Sequence, residues 1–423
     1  MELSALYQLY QHYPSVQTDT RKLQAGDLYF ALKGPHFDGN HFALDALQKG
    51  AAYAVVDQDD LPADDRLVRV PDVLTALQQL ARYHRDQFSI PFIAITGSNG
   101  KTTTKELVRE VLSTTFRTYA TEGNLNNHIG IPLTLLRIRP DTEMAVIEMG
   151  ANHQREIAGY CEIVHPTHGL ITNIGRAHLE GFGGIEGVRK GKGELFDYLR
   201  ATGGKAFVCS DFPDLREMSR GIPQVIWYGT DKQADVTGMV KDHKYFLQFS
   251  AGYTGLVQTH MAGDYNLYNA LAAIAIGKDF GVAGPGIKMA IEQYVPSNQR
   301  SQLVQDGSNT LILDAYNANP SSMRAAIENF AAMEGARKVL LLGGMKELGT
   351  DSIAEHQALV DELRQHAWTA VVLVGGDFAH VHHPYIYLPD SLAARDWYRQ
   401  QKFKNTQILI KGSRSIAMEK ILS

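Results

Sequence analysis

The spacing of apolar positions divides the chain into three regions. In the first, residues 1–86, short β-rich runs such as DLYFALKG and AAYAVVD are followed by VLTALQQLARYHRDQ, where apolar positions recur with helical spacing. Apolar runs bounded by Gly and Asp favour strands, whereas the helical period favours a helix. This region is therefore predicted to form a small α/β domain.

In the other two regions, compact apolar runs alternate with helical patterns. PFIAI, MAVIEMG and HGLITNIG precede the Ala-rich helix NLYNALAAIAIGKDFG, and KVLLLGGM, AVVLVGGDF and QILIKGSR then repeat a strand, a Gly-containing turn and a helix. Such alternation predicts sheets covered by helices, with ligands at the carboxyl ends of strands. We place a central domain at 87–297 and a C-terminal Rossmann-like domain at 298–423. The predicted fold class is α/β with three domains.

The composition narrows the classes of function. The chain has 41 basic and 46 acidic residues, a net charge of −5, and only two cysteines. This gives no support for a nucleic-acid surface or for a secreted disulfide framework. The N-terminus lacks the basic start of a signal peptide, and no apolar run approaches the roughly 20 residues of a membrane-spanning helix. We therefore expect a cytoplasmic protein that neither binds nucleic acid nor inserts into a membrane. A monomer is expected as well, although the sequence does not fix the oligomeric state.

The segment ITGSNGKTTTKELV, residues 95–108, has the features of a shortened phosphate-binding loop. A usual P-loop has a Gly five positions before the Gly of Gly-Lys-Thr, where this chain has Ile95. The segment lies between a predicted strand and a predicted helix, so N–H groups at the helix start can bind phosphate. Lys101 can neutralise phosphate charge, and Thr102 can bind magnesium. A Gly-rich turn without function is the alternative.

The central region is thus predicted to be a P-loop-type ATPase domain. The residues of its loop predicted to contact the nucleotide are Gly97, Ser98, Asn99, Gly100, Lys101, Thr102 and Thr103.

Two further strand ends carry side chains that suit a metal ion. Glu148 follows the apolar run MAVI, while Asn173 ends another strand and His178 follows in a Gly-rich loop. A carboxylate and a neutral imidazole at adjacent strand ends predict a second metal site beside the phosphate loop. A solvated surface acid is the alternative for Glu148 taken alone.

In these motifs the chain resembles the Mur ligases, ATP-dependent amide-forming enzymes of bacterial cell-wall assembly. The loop TGSNGKTT, the sequence EMG at 148–150 and NIGRAHLE at 173–180 match the family's patterns, the last of which reads Asn-Ile-Gly-x-Ala-His-Leu-Glu. Six longer motifs resemble the member that adds a dipeptide: TDTRKLQAGDLYFALKGPHFDGNHF (18–42), TEGNLNNHIGIPLTLL (121–136), KGKGELF (190–196), DAYNANPSSM (314–323), GGMKELG (343–349) and IKGSRSIAMEKI (410–421).

The resemblance implies a reaction and three ligands. The first domain would bind UDP-N-acetylmuramoyl-tripeptide, the second ATP, and the third would bring D-alanyl-D-alanine. A carboxylate of the peptide stem would attack the γ-phosphate of ATP to give an acyl phosphate, which the dipeptide amine would then attack. Because two anions must approach each other, Mg²⁺ and Lys101 would offset their repulsion.

The resemblance also assigns residues to roles. The catalytic set would be Lys101, Glu148, His178 and Lys192, and the metal ligands would be Thr102, Glu148, His178 and Lys192. Lys192 aligns with the lysine that the family carries as a carbamate, an anion that can help to bind metal. An ordinary solvated lysine at position 190 or 192 is the alternative.

Further residues are predicted to contact ATP and the two other substrates. Asn266 and Asn269 would contact the adenine edge, Asp314 the ribose and Arg300 a phosphate. The family often has His before the first Asn, where this chain has Tyr265. The motif NANPSSM also fits a plain helix start, with Asn319 as its cap. Residues predicted to bind the other two substrates are Thr18, Asp19, Thr20, Arg21, Asn126, Asn127, Asn317, Lys411, Ser413 and Arg414.

Other classes of function remain open at this stage. The phosphate loop alone allows a P-loop kinase or switch-type NTPase, or a nucleotide-binding scaffold without catalysis. Within the family, the alternatives are the ligase that adds the third stem residue and a polyglutamate-forming relative. The sequence does not distinguish lysine from diaminopimelate as the third stem residue.

Overall fold

The computed structural model describes residues 2–242, 245–297 and 299–423. Asn298, where the predicted third domain begins, lies outside the described residues. The chain forms two compact units. The first contains the chain up to Ala94 with Phe116–Gly150 and Glu156–His168, and the second contains Ile95–Thr115, Ala151–Arg155 and Gly169–Ser423.

The first unit has a small parallel sheet with helices around it. Its helices are α1 (Leu3–His12), α2 (Ala43–Gln48), α3 (Val73–Arg85), α5 (Gly130–Leu135) and α6 (Glu156–Val164). Its strands are β1 (Val16–Gln17), β2 (Leu28–Phe30), β3 (Lys33–Gly34), β4 (Phe37–Asp38), β5 (Tyr53–Val56), β6 (Leu67–Arg69), β8 (Thr118–Ala120) and β9 (Met144–Glu148). Two strands are divided between the units along the chain, β7 (Phe92–Thr96) and β10 (His168–Ile171).

Strands β1, β2, β5 and β6 pair in that order, and all three pairings are parallel. One face of this sheet is covered by α2, with Tyr29 and Val56 of the strands buried beside Leu47 of the helix. Burial of this apolar surface is the main favourable term in the stability of such a small sheet. The predicted small α/β domain is confirmed.

The second unit begins with α4 (Lys101–Ser113) and contains two sheet regions. Its other helices are α7 (Leu179–Phe182), α8 (Ile185–Thr202), α9 (Pro213–Met218), α10 (Asn266–Asp279), α11 (Gly284–Gln293), α12 (Pro320–Ala332), α13 (Ser352–Leu363) and α14 (Ser391–Gln401). Its strands are β11 (Lys205–Cys209), β12 (Gln224–Gly229), β13 (Val236–Asp242), β14 (Gln248–Ala251), β15 (Gly255–Gln258), β16 (Gln302–Asp306), β17 (Asn309–Asp314), β18 (Lys338–Gly343), β19 (Ala370–Val374), β20 (Ile386–Leu388) and β21 (Gln407–Lys411).

Helix α10 lies in the interior of the second unit. Its apolar side chains are buried all round, from Leu267 to Ile276, and it packs against α4 and against strands β11–β13. A helix that is apolar on every side is stable only when it is surrounded by protein. The start of α10 is thereby fixed beside the phosphate loop.

The C-terminal sheet has the order β16-β17-β21-β18-β19-β20. Only β16 pairs antiparallel; the other strands are parallel, with Leu311 opposite Ile408 and Leu341 opposite Ile410. Strands β18 and β21 are fully buried, which explains their continuous apolar runs. The predicted α/β class with a doubly wound C-terminal sheet is confirmed.

Two of the predicted strand–turn–helix repeats differ from expectation. Strand β19 is followed by a 3₁₀ helix, Gly376–His380, and β21 by a turn and a 3₁₀ helix, Met418–Leu422. The backbone of Ala417 is left-handed, with φ of 54°, so an α-helix that started after β21 could not continue through this residue. Lys411, Ser413 and Arg414 therefore do not lie at the start of an α-helix.

Of the helices in the described ranges, none combines the length and the apolar character needed to cross a membrane.

Candidate active site

The phosphate loop joins β7 to α4 through two glycines that no other residue could replace without strain. Gly97 has φ of 140°, and a Cβ there would lie 2.0 Å from Thr172 Oγ1. Gly100 caps α4 in the left-handed region with φ of 79°, and a Cβ there would lie 2.6 Å from Asn269 Oδ1. Glycine alone fits both positions. The loop can therefore bring its backbone close to a ligand.

The end of β10 fixes the shape of this loop. The N–H of Ser98 donates to the carbonyl of Asn173 at 3.0 Å, and that of Asn99 donates to Asn173 Oδ1 at 3.1 Å. The Ser98 hydroxyl donates to the Gly175 carbonyl at 3.0 Å and accepts the Gly175 N–H at 2.9 Å. Because these N–H groups already have acceptors within the protein, the groups available to bind phosphate are those at the N-terminus of α4, where the helix dipole is positive.

Lys101 and Thr102 begin α4, as the sequence predicts. Lys101 Nζ donates to the carbonyls of Gly97 at 2.7 Å and Ser98 at 3.1 Å, so its ammonium lies over its own loop. Thr102 is buried in the first helical turn, and Thr103 follows it. A cation and a hydroxyl at a helix N-terminus are suited to an anion with a bound divalent metal.

The two asparagines expected at adenine are buried at the start of α10. Asn269 Oδ1 accepts from the Thr104 hydroxyl at 3.0 Å, and its amide donates to Asn266 Oδ1 at 2.9 Å. The Asn266 amide donates to the carbonyl of Ala262 at 2.7 Å. Asn269 therefore links α10 to α4, and Asn266 supports Asn269. Tyr265 beside them hydrogen-bonds Ser301, and burial raises the pKa of its phenol.

His178 pairs with a residue that sequence reasoning missed. Its backbone is left-handed, with φ of 54°, and Nδ1 lies beside Glu347 Oε2. The hydrogen bond from His178 lowers the pKa of the Glu347 carboxyl. Glu347 lies within GGMKELG, a motif that the sequence singled out without giving this residue a role. A left-handed residue other than glycine is strained, and such strain often occurs at functional sites.

Lys192 is buried on α8. Its side chain is about 1% exposed, and Nζ donates to the carbonyl of Ala151 at 2.9 Å and lies 5.0 Å from the ring centroid of Phe182. The alternative of an ordinary solvated lysine at this position is therefore wrong. Lys190, two residues earlier on the same helix, is exposed.

The first unit holds Glu148, at the end of β9, and the predicted uridine-nucleotide residues. Glu148 is buried, and Oε1 accepts from the amide of Asn126 at 2.7 Å. Asn127 Oδ1 accepts the N–H groups of Ile129 and Gly130, which is a structural role at the start of α5.

The segment 18–21 of the first unit carries an ion pair. The Arg21 guanidinium lies 2.8 Å from the carboxylate of Asp19 and lowers the pKa of that carboxyl to about 2. Thr18 and Thr20 flank Asp19 on the same partly exposed segment. The segment therefore presents hydroxyls and an exposed guanidinium.

Asp314 and Lys411, predicted to bind different ligands, form one ion pair. Lys411 Nζ lies 2.5 Å from Asp314 Oδ2 and 3.4 Å from the Asn317 carbonyl, and its side chain is only 2% exposed. The other oxygen of Asp314 accepts the N–H of Ser301 at 3.3 Å. The two side chains therefore neutralise each other at the adjacent ends of β17 and β21.

Two arginines lie beside Tyr316, between the predicted ATP and dipeptide residues. The guanidinium of Arg300 lies 3.7 Å from the ring centroid and that of Arg414 lies 5.1 Å from it. Ser413 is buried, and its N–H donates to the carbonyl of Gly344 at 3.3 Å. Two guanidiniums beside one ring form a positive surface suited to an anion.

Asn319 caps α12, as the sequence predicts, and it also contacts the phosphate loop. Its side chain caps α12 in a capping box with Ser322, and its amide donates to Asn99 Oδ1 at 2.7 Å. It therefore links the C-terminal sheet region to the phosphate loop. Within the described ranges, no group of three or more His, Cys, Asp or Glu side chains converges to hold a metal ion.

Comparisons with known proteins show the family of the chain. Three family models match the chain: the Mur ligase family catalytic domain at 12–85, the Mur ligase middle domain at 95–277 and the Mur ligase glutamate ligase domain at 299–414. The UDP-N-acetylmuramoyl-tripeptide--D-alanyl-D-alanine ligase of Escherichia coli (strain K12) is 37% identical over 96% of this chain and 92% of its own. The chain belongs to the Mur ligase family.

Other members of the Mur ligase family extend this result. The ligase of the same name from Bacillus subtilis (strain 168) is 34% identical, with the same coverage of both chains. A crystal structure of MurF from Acinetobacter baumannii is similar with a TM-score of 0.88, at 31% identity, covering 98% of this chain and 97% of its own. MurF ligase from Thermotoga maritima, solved in complex with ADP, has a TM-score of 0.86 at 26% identity and 96% coverage of both chains.

The three-domain α/β fold class is thereby confirmed, while the exact boundaries at 86/87 and 297/298 stay predictions.

Proposed function

We propose that this Mur ligase adds D-alanyl-D-alanine to UDP-N-acetylmuramoyl-tripeptide, at the expense of ATP, in the synthesis of peptidoglycan precursors. The observation that carries the proposal is similarity along nearly the whole chain to ligases bearing that name, at 34% and 37% identity. The motifs around the phosphate loop, His178 and Lys411 lie within the matched length. A cytoplasmic location, a monomeric state and the absence of nucleic-acid partners stay predictions.

The chemistry proceeds in two steps. A stem carboxylate oxygen attacks the γ-phosphorus of ATP, forming an acyl phosphate and releasing ADP. The dipeptide amine then attacks the acyl carbon, and phosphate leaves as the amide forms, with one proton lost from nitrogen. The protein contributes mainly position and charge in such phosphoryl transfers. Lys101, at the N-terminus of α4, would stabilise the transferring phosphoryl group.

The nucleotide contacts are proposed around α4 and β17. Residues 97–103 would contact the phosphates, Arg300 would add positive charge, and Asp314 would accept from the ribose hydroxyls. Asn266 and Asn269 already bond within the protein, so their proposed contact with adenine would use the remaining capacity of their amides. The relative from Thermotoga maritima, solved with ADP, supports a nucleotide in this family.

Metal binding is proposed for Thr102, Glu148, His178 and Lys192. The residue types fit: Glu148 is a buried carboxylate, which is favoured only with a cation or donors nearby, and Thr102 offers a hydroxyl at a helix N-terminus. Mg²⁺ would supply charge that offsets the repulsion between the substrate carboxylate and ATP. His178 is paired with Glu347, so metal binding by His178 would require that pair to open or to share the imidazole.

Lys192 is proposed to be carbamylated. It is buried on α8, and burial in general penalises an ammonium ion relative to the neutral amine that reacts with carbon dioxide. We expect activity to fall when carbon dioxide is stripped from the buffer, and a crystal structure to show extra density on Nζ. Normal turnover by Lys192→Ala, together with an unmodified Nζ, would exclude the carbamate while leaving the ligase activity standing.

The remaining substrates are assigned by region. Thr18, Asp19, Thr20 and Arg21 are proposed to contact the uridine nucleotide, with Asn126 and Asn127 near the stem peptide. Asn317, Lys411, Ser413 and Arg414 are proposed to receive the dipeptide. Because Lys411 is buried and neutralised by Asp314, Arg414 is the residue best placed to meet a free carboxylate.

The experiment that tests the function is an acceptor panel. Purified protein is supplied with ATP, Mg²⁺ and UDP-N-acetylmuramoyl-tripeptide, and phosphate release is measured with D-alanyl-D-alanine, single amino acids including lysine and diaminopimelate, or glutamate. We expect phosphate release with the dipeptide and a product whose mass equals that of both substrates less one water. Phosphate release without any amine would indicate an NTPase, and ATP binding without turnover would indicate a scaffold.

A further inference from the structure

A buried carboxylate at the start of α13 faces the loop that carries His178. The side chain of Glu355 is 7% exposed, and Oε1 lies 2.5 Å from Nη2 of Arg176. Arg176 occupies the position that the pattern Asn-Ile-Gly-x-Ala-His-Leu-Glu leaves open, two residues before His178. The proposed function gives no role to this ion pair.

Arg176 is connected to the phosphate loop through its backbone neighbours. Its N–H donates to the hydroxyl of Ser321 on α12 at 2.9 Å. Gly175, directly before it, exchanges two hydrogen bonds with the hydroxyl of Ser98. A displacement of Arg176 would therefore move a residue of the phosphate loop on one side and His178 on the other.

The surroundings of Glu355 show why this contact constrains the loop strongly. A second cation, Arg324 on α12, lies 3.8 Å from Oε2 of Glu355 and 3.3 Å from the carboxylate of Glu362. A buried carboxylate must keep its cations and donors in place, because an uncompensated charge in the interior is costly. An exposed ion pair imposes little such constraint. The buried carboxylate of Glu355 therefore needs the guanidinium of Arg176 close by, although the arginine side chain is itself 43% exposed.

We propose that Glu355 is a positioning residue for the ligation reaction. Through Arg176 it holds residues 173–180, and with them Ser98 and His178, in the arrangement that phosphoryl transfer requires. This inference rests on the proposed function for the roles of the phosphate loop and His178.

The test compares two acids of the same helix. Glu355→Gln keeps the shape but removes the carboxylate nearest to Arg176, whose second acidic neighbour, Asp351, lies 3.9 Å away. Glu362→Gln removes a partner of Arg324 that does not touch Arg176. We expect Glu355→Gln to lower kcat about tenfold, since small misplacement of reacting groups is costly, while KM for ATP changes less than about twofold. We expect Glu362→Gln to keep kcat within about twofold of the wild type, as its contact lies outside the loop.

A second variant protects the test against misfolding. Arg176 is 43% exposed, and Arg176→Ala leaves Glu355 with Arg324, so this variant is expected to fold. Arg176→Ala should lower kcat to the same degree as Glu355→Gln. The double variant should lose no more than either single one, because both remove the same contact. Additive losses, or equal losses in Glu355→Gln and Glu362→Gln, would overturn the proposal.

Hydrogen exchange separates this proposal from the function itself. Without substrates, amides of 173–180 should exchange faster in Glu355→Gln and Arg176→Ala than in the wild type and Glu362→Gln. Unchanged exchange would show that Glu355 does not hold the loop. If the wild type forms no amide with any acceptor, the proposed function fails, and exchange still decides whether Glu355 positions residues 173–180.

Discussion

Two turns of the second unit each follow a buried parallel strand and carry a lysine, yet they organise charge in different ways. The turn at 97–101 leads into α4, with two glycines in the left-handed half of the backbone map and with Lys101 over its own carbonyls. The turn at 411–414 leads only to a 3₁₀ helix, and its Lys411 is buried against Asp314. The first can bind an anion with backbone and dipole, whereas the second must use side chains.

Because the two turns present different groups, each suits a different one of the two proposed ligands. A helix N-terminus presents several N–H groups together with a positive dipole end, which suits a phosphate chain of high charge. The C-terminal turn offers Arg414 beside Tyr316 and a supported Ser413, which suits a single carboxylate. We therefore propose that ATP binds at the first turn and the dipeptide at the second.

The largest effect is expected at the first turn. Lys101→Ala removes a charge close to the transferring phosphoryl group while leaving the glycines and α4 in place. We expect the rate of ligation to fall at least about a hundredfold, in the range found when one stabilising group is removed from a transition state. Steady-state phosphate release measures this loss, and an unchanged circular dichroism spectrum is the control. Retention of more than about a tenth of the activity would count against this turn as the phosphate site.

Substitutions at the second turn are expected to change the stability of the protein. Asp314→Ala leaves Lys411 buried without its carboxylate, and we expect the free energy of unfolding to fall by about 3 kcal/mol. Adding Lys411→Met to Asp314→Ala should restore much of that loss, because no buried charge then remains. Unfolding in urea without ligands measures both. If the double variant is no more stable than Asp314→Ala, the ion pair is not the cause.

These two turns also show what the sequence could and could not predict. The continuous apolar runs of β18 and β21 reveal buried parallel strands, and the positions of Gly97 and Gly100 reveal a strand-to-helix turn, because those constraints act locally. The pairing of Lys411 with Asp314 joins residues 97 positions apart, and only tertiary packing brings them together. The same holds for His178 with Glu347 and for Arg176 with Glu355.

The missing helix after β21 has a different cause. SIAMEKI has helix-forming residues, but the left-handed backbone of Ala417 and the packing of Met418 against Gly343 and Gly412 determine the local path. The prediction that Asn266 and Asn269 lie at the start of a helix is confirmed, yet their contacts inside the protein could not be predicted from their positions. At both sites tertiary packing, rather than the helix propensity of the local sequence, determines the structure.

A buried histidine supports the second turn. His356 Nε2 accepts the N–H of Met345 at 3.0 Å, and Nδ1 faces the carbonyl of Ser352 at 2.7 Å, so the neutral ring is bonded at both nitrogens. Gly344, beside Met345, accepts the N–H of Ser413. Burial lowers the pKa of His356 below its usual value of 6.5. The charged groups around the ring are Lys346, Glu355 and Asp377.

His356 should make the stability of the protein depend on pH. This effect should be smaller than those expected for Lys101→Ala and Asp314→Ala. Because its folded-state pKa is depressed, the unfolded chain takes up the proton first as the pH falls below about 6.5, and stability is lost on the acid side. His356→Gln keeps an acceptor for Met345 but does not titrate, so its stability should fall less. Unfolding midpoints between about pH 8 and pH 5 measure this, and parallel curves would exclude His356 as the cause.

The division of ligands between the two turns is tested most directly by the Michaelis constants of Arg414→Ala for both substrates. Arg395→Ala, in the same sheet region, is the matched control. We predict that KM for D-alanyl-D-alanine rises at least about tenfold in Arg414→Ala, as loss of a charge-assisted hydrogen bond implies, while KM for ATP stays within about twofold. An equal rise in both constants would contradict the account and place the C-terminal turn at the nucleotide.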